Sequence, residues 1–312
     1  MKIFSTQGTL IPIAPFDFEK SLDFIGAFSP IAGEQTLAPR SLTKTIALNG
    51  AAIVFQVTAR DTIEKPALEY TLYSARKLSA VDQETIVQRI RFFLSLDDDL
   101  KAFYAIGNGD EKFALVIERL YGLHQVKFLT PFENAVWAIL TQRQPMRVAH
   151  KVKIALIEKF GARLNVKSSA NADRTEFRAF PEAAQLFPVS AMDLNEIVRN
   201  ERKTDYLRAV IEAYFAVNEN FLYHAPTTEV REWLLNIKGI GAWSADFILL
   251  RGLGRMEAMR MTEYNLRGDP FGEAIAKVYG EGKKVSGAER EQLAKRYGEW
   301  QGYWAYYLRV NA

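Results

Sequence analysis

Residues 228–251 read TEVREWLLNIKGIGAWSADFILLR. The spacing predicts two helices joined by a hairpin at Lys238-Gly239-Ile240-Gly241. Val230, Trp233, Leu234 and Ile237 recur at i, i+3, i+4 and i+7, an apolar stripe one helix face wide. A second helix is expected to begin at about Ala242, directly after two glycines. Without a Cβ the backbone can turn sharply there and approach a ligand closely, and the first N–H groups of a helix are unpaired and favour anions. A phosphate oxygen fits such a turn without any reading of bases.

The chain on the N-terminal side has a different grain. Ser41–Leu48 and Ala51–Ala59 have strand composition and are separated by Asn49-Gly50, a pair suited to a hairpin turn in which both central residues need positive φ. Ala67–Ser74 continues the sheet, with Leu68, Tyr70 and Leu72 alternating as on a half-buried strand. Helices are expected at about 18–28 and 81–96, so residues 1–100 form an α+β unit with an antiparallel sheet. From residue 101 to 312 helical periodicity dominates. Thr130-Pro131-Phe132-Glu133 reads as a capping box with proline at the first helical position, followed by Phe132, Val136, Ile139 and Leu140 on one face. Pro145 opens the next helix, which runs to Phe160 and stops at Gly161. Residues 165–180 are polar and turn-rich and are expected to be a surface loop.

A chain of 312 residues with 48% hydrophobic content can bury two or three cores. It has no apolar run long enough to span a bilayer, and Met1–Leu10 has no signal-peptide pattern, so a cytoplasmic, nucleoid-associated protein is expected, without membrane contact. The cysteine count of 0 excludes disulfides, thiolate metal sites and iron–sulfur clusters. Histidines 124, 150 and 224 are dispersed, which gives no support to a metal site or a Ser-His-Asp arrangement. The net charge of +3 is compatible with nucleic acid but does not argue for it.

Three blocks carry a resemblance to the helix-hairpin-helix DNA glycosylases, and within them to the bacterial 3-methyladenine DNA glycosylase II group. They are PFENAVWAILTQRQPMRVAHK at 131–151, GIGAWSADFILLRGLGR at 239–255 and RYGEWQGYWAYYLR at 296–309; PFDF at 15–18 adds a weaker N-terminal match. The resemblance implies an accessory sheet domain followed by a helical core of two subdomains flanking a cleft. It also implies a monomer whose partner is double-stranded DNA containing damaged bases.

Enzymes that act on a base in a duplex extrude it into a pocket, so an anchor, a wedge, a pocket and a carboxylate are the parts to seek. The resemblance implies that Gly239, Gly241 and Ala242 offer N–H groups to phosphate, with Lys238 where a proline is common. It also implies that the carbonyls of Leu235, Ile237 and Ile240 hold a sodium, potassium or similar hard cation, no other cofactor being required. The wedge falls in Gln142-Arg143-Gln144-Pro145, with Arg143 at a position commonly leucine; a planar guanidinium can also fill a duplex gap. The alternative is an exposed arginine beside Arg147, Lys151 and Lys153 that touches phosphate or nothing. The pocket combines Trp243, Phe247 and Tyr264 with Tyr303 and Phe24. Aromatic faces suit a flipped base, and a cationic alkylated base gains cation–π attraction as well; ordinary core packing is the competing reading of the same pattern.

Bifunctional relatives carry a lysine at the Trp243 position, and tryptophan has no nucleophile. A monofunctional enzyme that uses water and leaves an abasic site is therefore expected, without strand cleavage. The family's catalytic aspartate lies twenty residues after that position, and 263 − 243 = 20 gives Glu263, followed by Tyr264. An anion near the sugar stabilises an oxocarbenium-like transition state and can activate water, but glutamate carries its charge one methylene further out. Asp246 reads as a cap or as the partner of a neighbouring arginine, and Asp269, in Arg267-Gly268-Asp269-Pro270, as a turn or N-cap residue before a helix at 271–279. The expected function is base-excision repair through hydrolytic removal of alkylated purines such as 3-methyladenine. The alternatives are a catalytically weak or inactive damaged-DNA-binding protein of the same fold, and a glycosylase for another base with Asn265 and Tyr303 altering the pocket.

Overall fold

The computed structural model describes residues 2–60, 62–167, 174–259 and 270–312. The architecture is α+β, an N-terminal antiparallel sheet followed by a succession of helices. Strands β1 (Phe4–Leu10), β2 (Gln35–Ala38), β3 (Ser41–Leu48), β4 (Ala51–Ala59) and β5 (Leu68–Ser74) pair in the order β1-β5-β4-β3-β2. Asn49 and Gly50 turn β3 into β4 with φ of 52° and 74°, the conformation expected of that pair. The Glu182 carboxylate accepts from both of their backbone N–H groups, at 3.2 and 2.7 Å, and so fastens the turn to the helical part of the chain.

Alternation along β4 gives the sheet two working faces. Ile53, Phe55 and Val57 point into the main core with Leu42 and Ile46 of β3, α1 (Phe18–Ala27) and α2 (Ala80–Phe93). Ala52 and Val54 face the other way, onto a second hairpin of β6 (Arg163–Lys167) and β7 (Arg174–Arg178). This hairpin replaces much of the surface loop expected over 165–180. Its Leu164, Val166, Phe177 and Ala179 are buried against the sheet, which supplies the apolar partner that five-residue strands lack in isolation. Strands β1 and β2 were likewise not evident from the sequence.

The helical part contains α3 (Lys101–Asn108), α4 (Ala114–Leu120), α5 (Pro131–Leu140), α6 (Met146–Phe160), α7 (Ala183–Leu186), α8 (Ala191–Val198), α9 (Glu201–Ala216) and α10 (Glu219–His224). It continues with α11 (Thr227–Leu235), α12 (Ala242–Gly252), α13 (Pro270–Tyr279), α14 (Gly287–Tyr297) and α15 (Gln301–Asn311). Helix α5 is central: all ten of its residues are buried, where periodicity alone had suggested one apolar face. Thr130 caps it by accepting from the Glu133 N–H at 3.1 Å, with Pro131 at the first position. The other half of the expected capping box does not form. The Glu133 carboxylate instead accepts from Lys153 Nζ on α6 at 2.6 Å. Lys153 also pairs with Glu34, which in turn accepts from Lys44 of β3 at 3.1 Å. Four buried charges thus link sheet, loop and two helices, each offset by an opposite neighbour as burial of ions requires. Lys153 is fully buried, so it is not part of the exposed basic group with Arg147 and Lys151.

A second core joins α3 and α4 to residues 250–259 and 271–308, centred on Phe103, Phe113, Tyr297, Trp304 and Tyr307. Tyr307 Oη donates to the Leu123 carbonyl at 2.8 Å and lies 3.1 Å from Tyr104 Oη. Phe24 packs against both cores, which places it at their seam. Among the described residues no helix is long and apolar enough to cross a membrane.

Candidate nucleic-acid interface and base pocket

The hairpin forms as the 228–251 stretch suggests, with α11 and α12 connected through residues 236–241. Gly239 has φ of +95°, and a Cβ there would lie 2.4 Å from Cγ of Tyr206, so both conformation and space require glycine. Gly241 has an extended backbone (φ −96°, ψ 178°), precedes α12 without a side-chain cap, and is open on the side where a Cβ would project. A helix start that is exposed and uncapped, next to a turn fixed by glycine, is an anion-accepting geometry. Ile240 N–H donates to the Ile237 carbonyl at 3.0 Å, which leaves that oxygen one further lone pair. Lys238 is exposed and 3.5 Å from Asp205, a surface pairing of little energetic weight.

The α5–α6 loop meets this turn. Gln142 Nε2 donates to the Gly239 carbonyl at 2.7 Å. Beside it, Arg143 is exposed and holds a left-handed backbone at φ +51°, an unfavourable conformation for a residue with a branched-off Cβ. The hairpin and the candidate wedge therefore form one continuous surface, with exposed Arg147 and Lys151 further along α6.

Behind the hairpin, Trp243, Phe247 and Arg251 succeed one another at i, i+4 and i+8 on α12, one above the next. The Trp243 and Phe247 rings are nearly parallel, 7° apart with centroids at 5.2 Å. Phe247 meets Phe128 edge-on at 6.1 Å, Phe128 meets Phe28 at 5.6 Å, and Phe28 stacks on Phe24 at 5.1 Å. Phe24 then contacts Tyr306 of α15 at 5.1 Å, closing an aromatic wall along the seam. Trp243, Phe247, Phe24 and Phe28 are all half-buried. Tyr303 is different. It is 1% exposed, donates to the Asp98 carboxylate, and accepts from Gln125 N–H at 3.3 Å, so its ring supports the wall from within the second core. Burial and the adjacent Asp98 raise the Tyr303 hydroxyl well above its ordinary range, which keeps it a neutral donor.

Phe28, Phe128, Arg251 and Tyr306 were not singled out in the sequence. A signal existed for two of them: Phe28 follows Phe24 by four residues, and Arg251 follows Phe247 by four. The Arg251 guanidinium sits 4.7 Å from the Phe28 ring, 5.2 Å from Phe24 and 5.4 Å from Tyr306. Its burial pushes it down to about 10, so it remains a cation at neutral pH. Asp246, by contrast, is fully explained by a 2.8 Å ion pair with Arg231 of α11. Glu263, Tyr264, Asn265 and Asp269 lie outside the described residues.

No protein-family model matches the chain. A DNA-3-methyladenine glycosylase of Bacillus subtilis (strain 168) is 24% identical over 269 residues, covering 86% of this chain and 84% of that protein. Among solved structures, a 3-methyladenine DNA-glycosylase from Archaeoglobus fulgidus superposes with a TM-score of 0.77 at 19% identity, over 97% of each chain. A Clostridium acetobutylicum 8-oxoguanine glycosylase/lyase in complex with DNA superposes with a TM-score of 0.67 at 16% identity, over 100% of this chain and 97% of that one. The resemblance carried by three short blocks of sequence thus extends to the fold of the entire molecule.

Proposed function

We propose that this chain, which has the helix-hairpin-helix DNA glycosylase fold from end to end, is a monofunctional DNA N-glycosylase of base-excision repair that acts on alkylated purines, 3-methyladenine being the type named in two of its relatives. The observation that carries the reading is the Gln142–Gly239 bond, which makes hairpin and wedge loop one DNA-facing surface with the Trp243–Phe247 stack directly behind it. In this reading Gly239, Gly241 and Ala242 hold a phosphate by backbone N–H groups, while Arg143 fills the gap left by the extruded nucleotide. The carbonyls of Leu235, Ile237 and Ile240 would hold a sodium or potassium ion, whose charge faces the phosphate. Trp243 and Phe247 receive the base on their faces, with Phe24 further along the same aromatic wall.

Cleavage of the bond between sugar and base leaves positive charge on the sugar. Glu263 is the carboxylate proposed to stabilise it and to accept a proton from the attacking water. Trp243 has no amine, so no Schiff base forms at that position and the product is an intact strand with an abasic site.

The test is release of base from a duplex containing 3-methyladenine by wild type, Glu263→Gln and Glu263→Asp. Release by wild type and by the Asp variant, with loss of about 100-fold or more in the Gln variant, is expected. Full activity in the Gln variant would show that the carboxylate is wrongly assigned, and a cleaved strand from wild type would contradict the monofunctional reading. Release by none of the three, with tight binding to abasic DNA retained, would leave a DNA-binding protein in place of an enzyme.

A further inference from the structure

The first turns of α9 enter the corner between the hairpin and the α5–α6 loop. Lys203 Nζ donates to the carbonyl of Leu140, at the end of α5, at 2.8 Å. Asp205 lies 3.5 Å from Lys238 of the hairpin. The Tyr206 side chain packs directly on Gly239, where a Cβ would come within 2.4–2.8 Å of its Cγ, Cβ and Cδ1. This end of α9 is therefore continuous with the surface formed by hairpin and wedge loop. Arg202, on the same turn, is exposed. Its Nε donates to Tyr206 Oη at 2.6 Å, and its guanidinium lies 5.4 Å from the centroid of the Tyr206 ring. Among the described residues no carboxylate pairs with Arg202 and nothing accepts from Nη1 or Nη2. The i, i+4 contact thus accounts for Nε alone. The outer edge of the fork, which suits two oxygens of one anion, stays open. Because Tyr206 already holds the side chain, less rotamer freedom is lost when an anion binds. Arg199, three residues earlier, is exposed in a left-handed backbone at φ +52° and adds a second cation to this corner.

We infer that Arg202 is a phosphate-holding residue: with Nε held by Tyr206, its free fork grips a DNA backbone phosphate other than the one at the hairpin. The inference rests on the reading of the hairpin as a DNA interface and extends that interface from one phosphate to two. A backbone held at one phosphate can pivot about it, whereas two contacts fix its direction while a nucleotide turns out of the stack. Arg202 touches no base, so it is a positioning residue and acts alike on every sequence. A merely structural Arg202–Tyr206 pair would contribute to melting temperature and leave the salt dependence of DNA binding untouched.

The experiment uses the full chain and two duplexes of different sequence, each with a single abasic-site analogue. Affinity is titrated by fluorescence anisotropy at neutral pH in potassium chloride from about 0.05 to about 0.3 M, for wild type, Arg202→Gln and Tyr206→Phe. The Gln variant is expected to bind both duplexes about tenfold more weakly at the lowest salt. Its slope of log K against log salt should be shallower by about one, the signature of one lost phosphate contact. Tyr206→Phe keeps the ring against Gly239 and the charge of Arg202, and removes only the oxygen that holds Nε. Its slope should match wild type while its affinity falls about threefold. A slope for the Gln variant within about 0.3 of wild type overturns the inference. Wild-type affinity in Tyr206→Phe overturns the role given to Tyr206. Base release is measured alongside: binding by wild type without release overturns the glycosylase reading and leaves the Arg202 contact standing, and no binding of either duplex by wild type overturns both.

Discussion

The side chain of Gln142 donates to the backbone carbonyl of Gly239 at 2.7 Å, across 97 residues of sequence. The bond joins the two elements that must hold their spacing if one is to grip a phosphate while the other enters the duplex. Gln142→Ala leaves both elements folded and removes the tie. Loss of one such bond corresponds to about 1 kcal/mol, so affinity for a duplex with an abasic-site analogue should fall about fivefold, with little change in melting temperature. Fluorescence anisotropy titration at fixed salt measures it, and unchanged affinity would show that the spacing is set elsewhere.

Gly239 and Gly241 should respond in opposite ways to the same substitution. Gly239→Ala places a Cβ against Tyr206 in a left-handed backbone and should destabilise the protein by about 1–2 kcal/mol or more. Gly241→Ala meets open space with an ordinary backbone, so its stability should stay within about 0.5 kcal/mol of wild type. If phosphate occupies that space, the second variant nevertheless binds DNA about tenfold more weakly, the equivalent of one charge-assisted hydrogen bond. Urea denaturation together with DNA titration separates the two effects.

Lys153 is the centre of the buried charge group. Lys153→Met strands Glu133 and leaves Glu34 with Lys44 as its remaining partner, and breaking a buried pair from one side typically costs about 3–5 kcal/mol. Adding Glu133→Gln should recover part of the loss, because the stranded charge is then removed. A double-mutant cycle in urea gives the coupling; additive losses would mean that the two groups do not act as a unit.

Stability should depend on acid through Asp82. The Arg76 guanidinium, followed by the Ser79 amide, lowers its carboxyl from the ordinary 3.8 to about 2. The unfolded chain therefore binds the proton first as pH falls. The stabilisation is complete above about pH 4 and is lost between there and about pH 2. Asp82→Asn should melt at a lower temperature than wild type at neutral pH and converge with it near pH 2. Parallel melting curves across that range would contradict this account.

The parts of the fold that were legible in the sequence are those in which local chemistry and final environment agree. Asn49-Gly50 needs positive φ wherever it is placed, and Thr130-Pro131 starts a helix by its own side chains. Glu133 shows the limit. As a capping residue it reads correctly to the helix start, yet its carboxylate belongs to Lys153, and only the packing of α6 on α5 makes that pairing available. The β6–β7 hairpin was hidden for the same reason: Leu164 and Val166 give too short an alternation to signal a strand until Ala52 and Val54 face them. In the site, Trp243 and Phe247 could be placed on one helix face by spacing alone. Phe28, Phe128 and Tyr306 come from three separate regions, and their convergence is tertiary.

The second core is assembled from chain segments that are made far apart in time. During synthesis α3 and α4 emerge early, while the tyrosines and tryptophan of α14 and α15 that bury them come last. Phe103 must therefore wait, exposed, until Tyr307 leaves the ribosome. The aromatic wall that Tyr306 closes against Phe24 is completed in the same event, so a nascent chain halted before α15 would have its hairpin but an open wall.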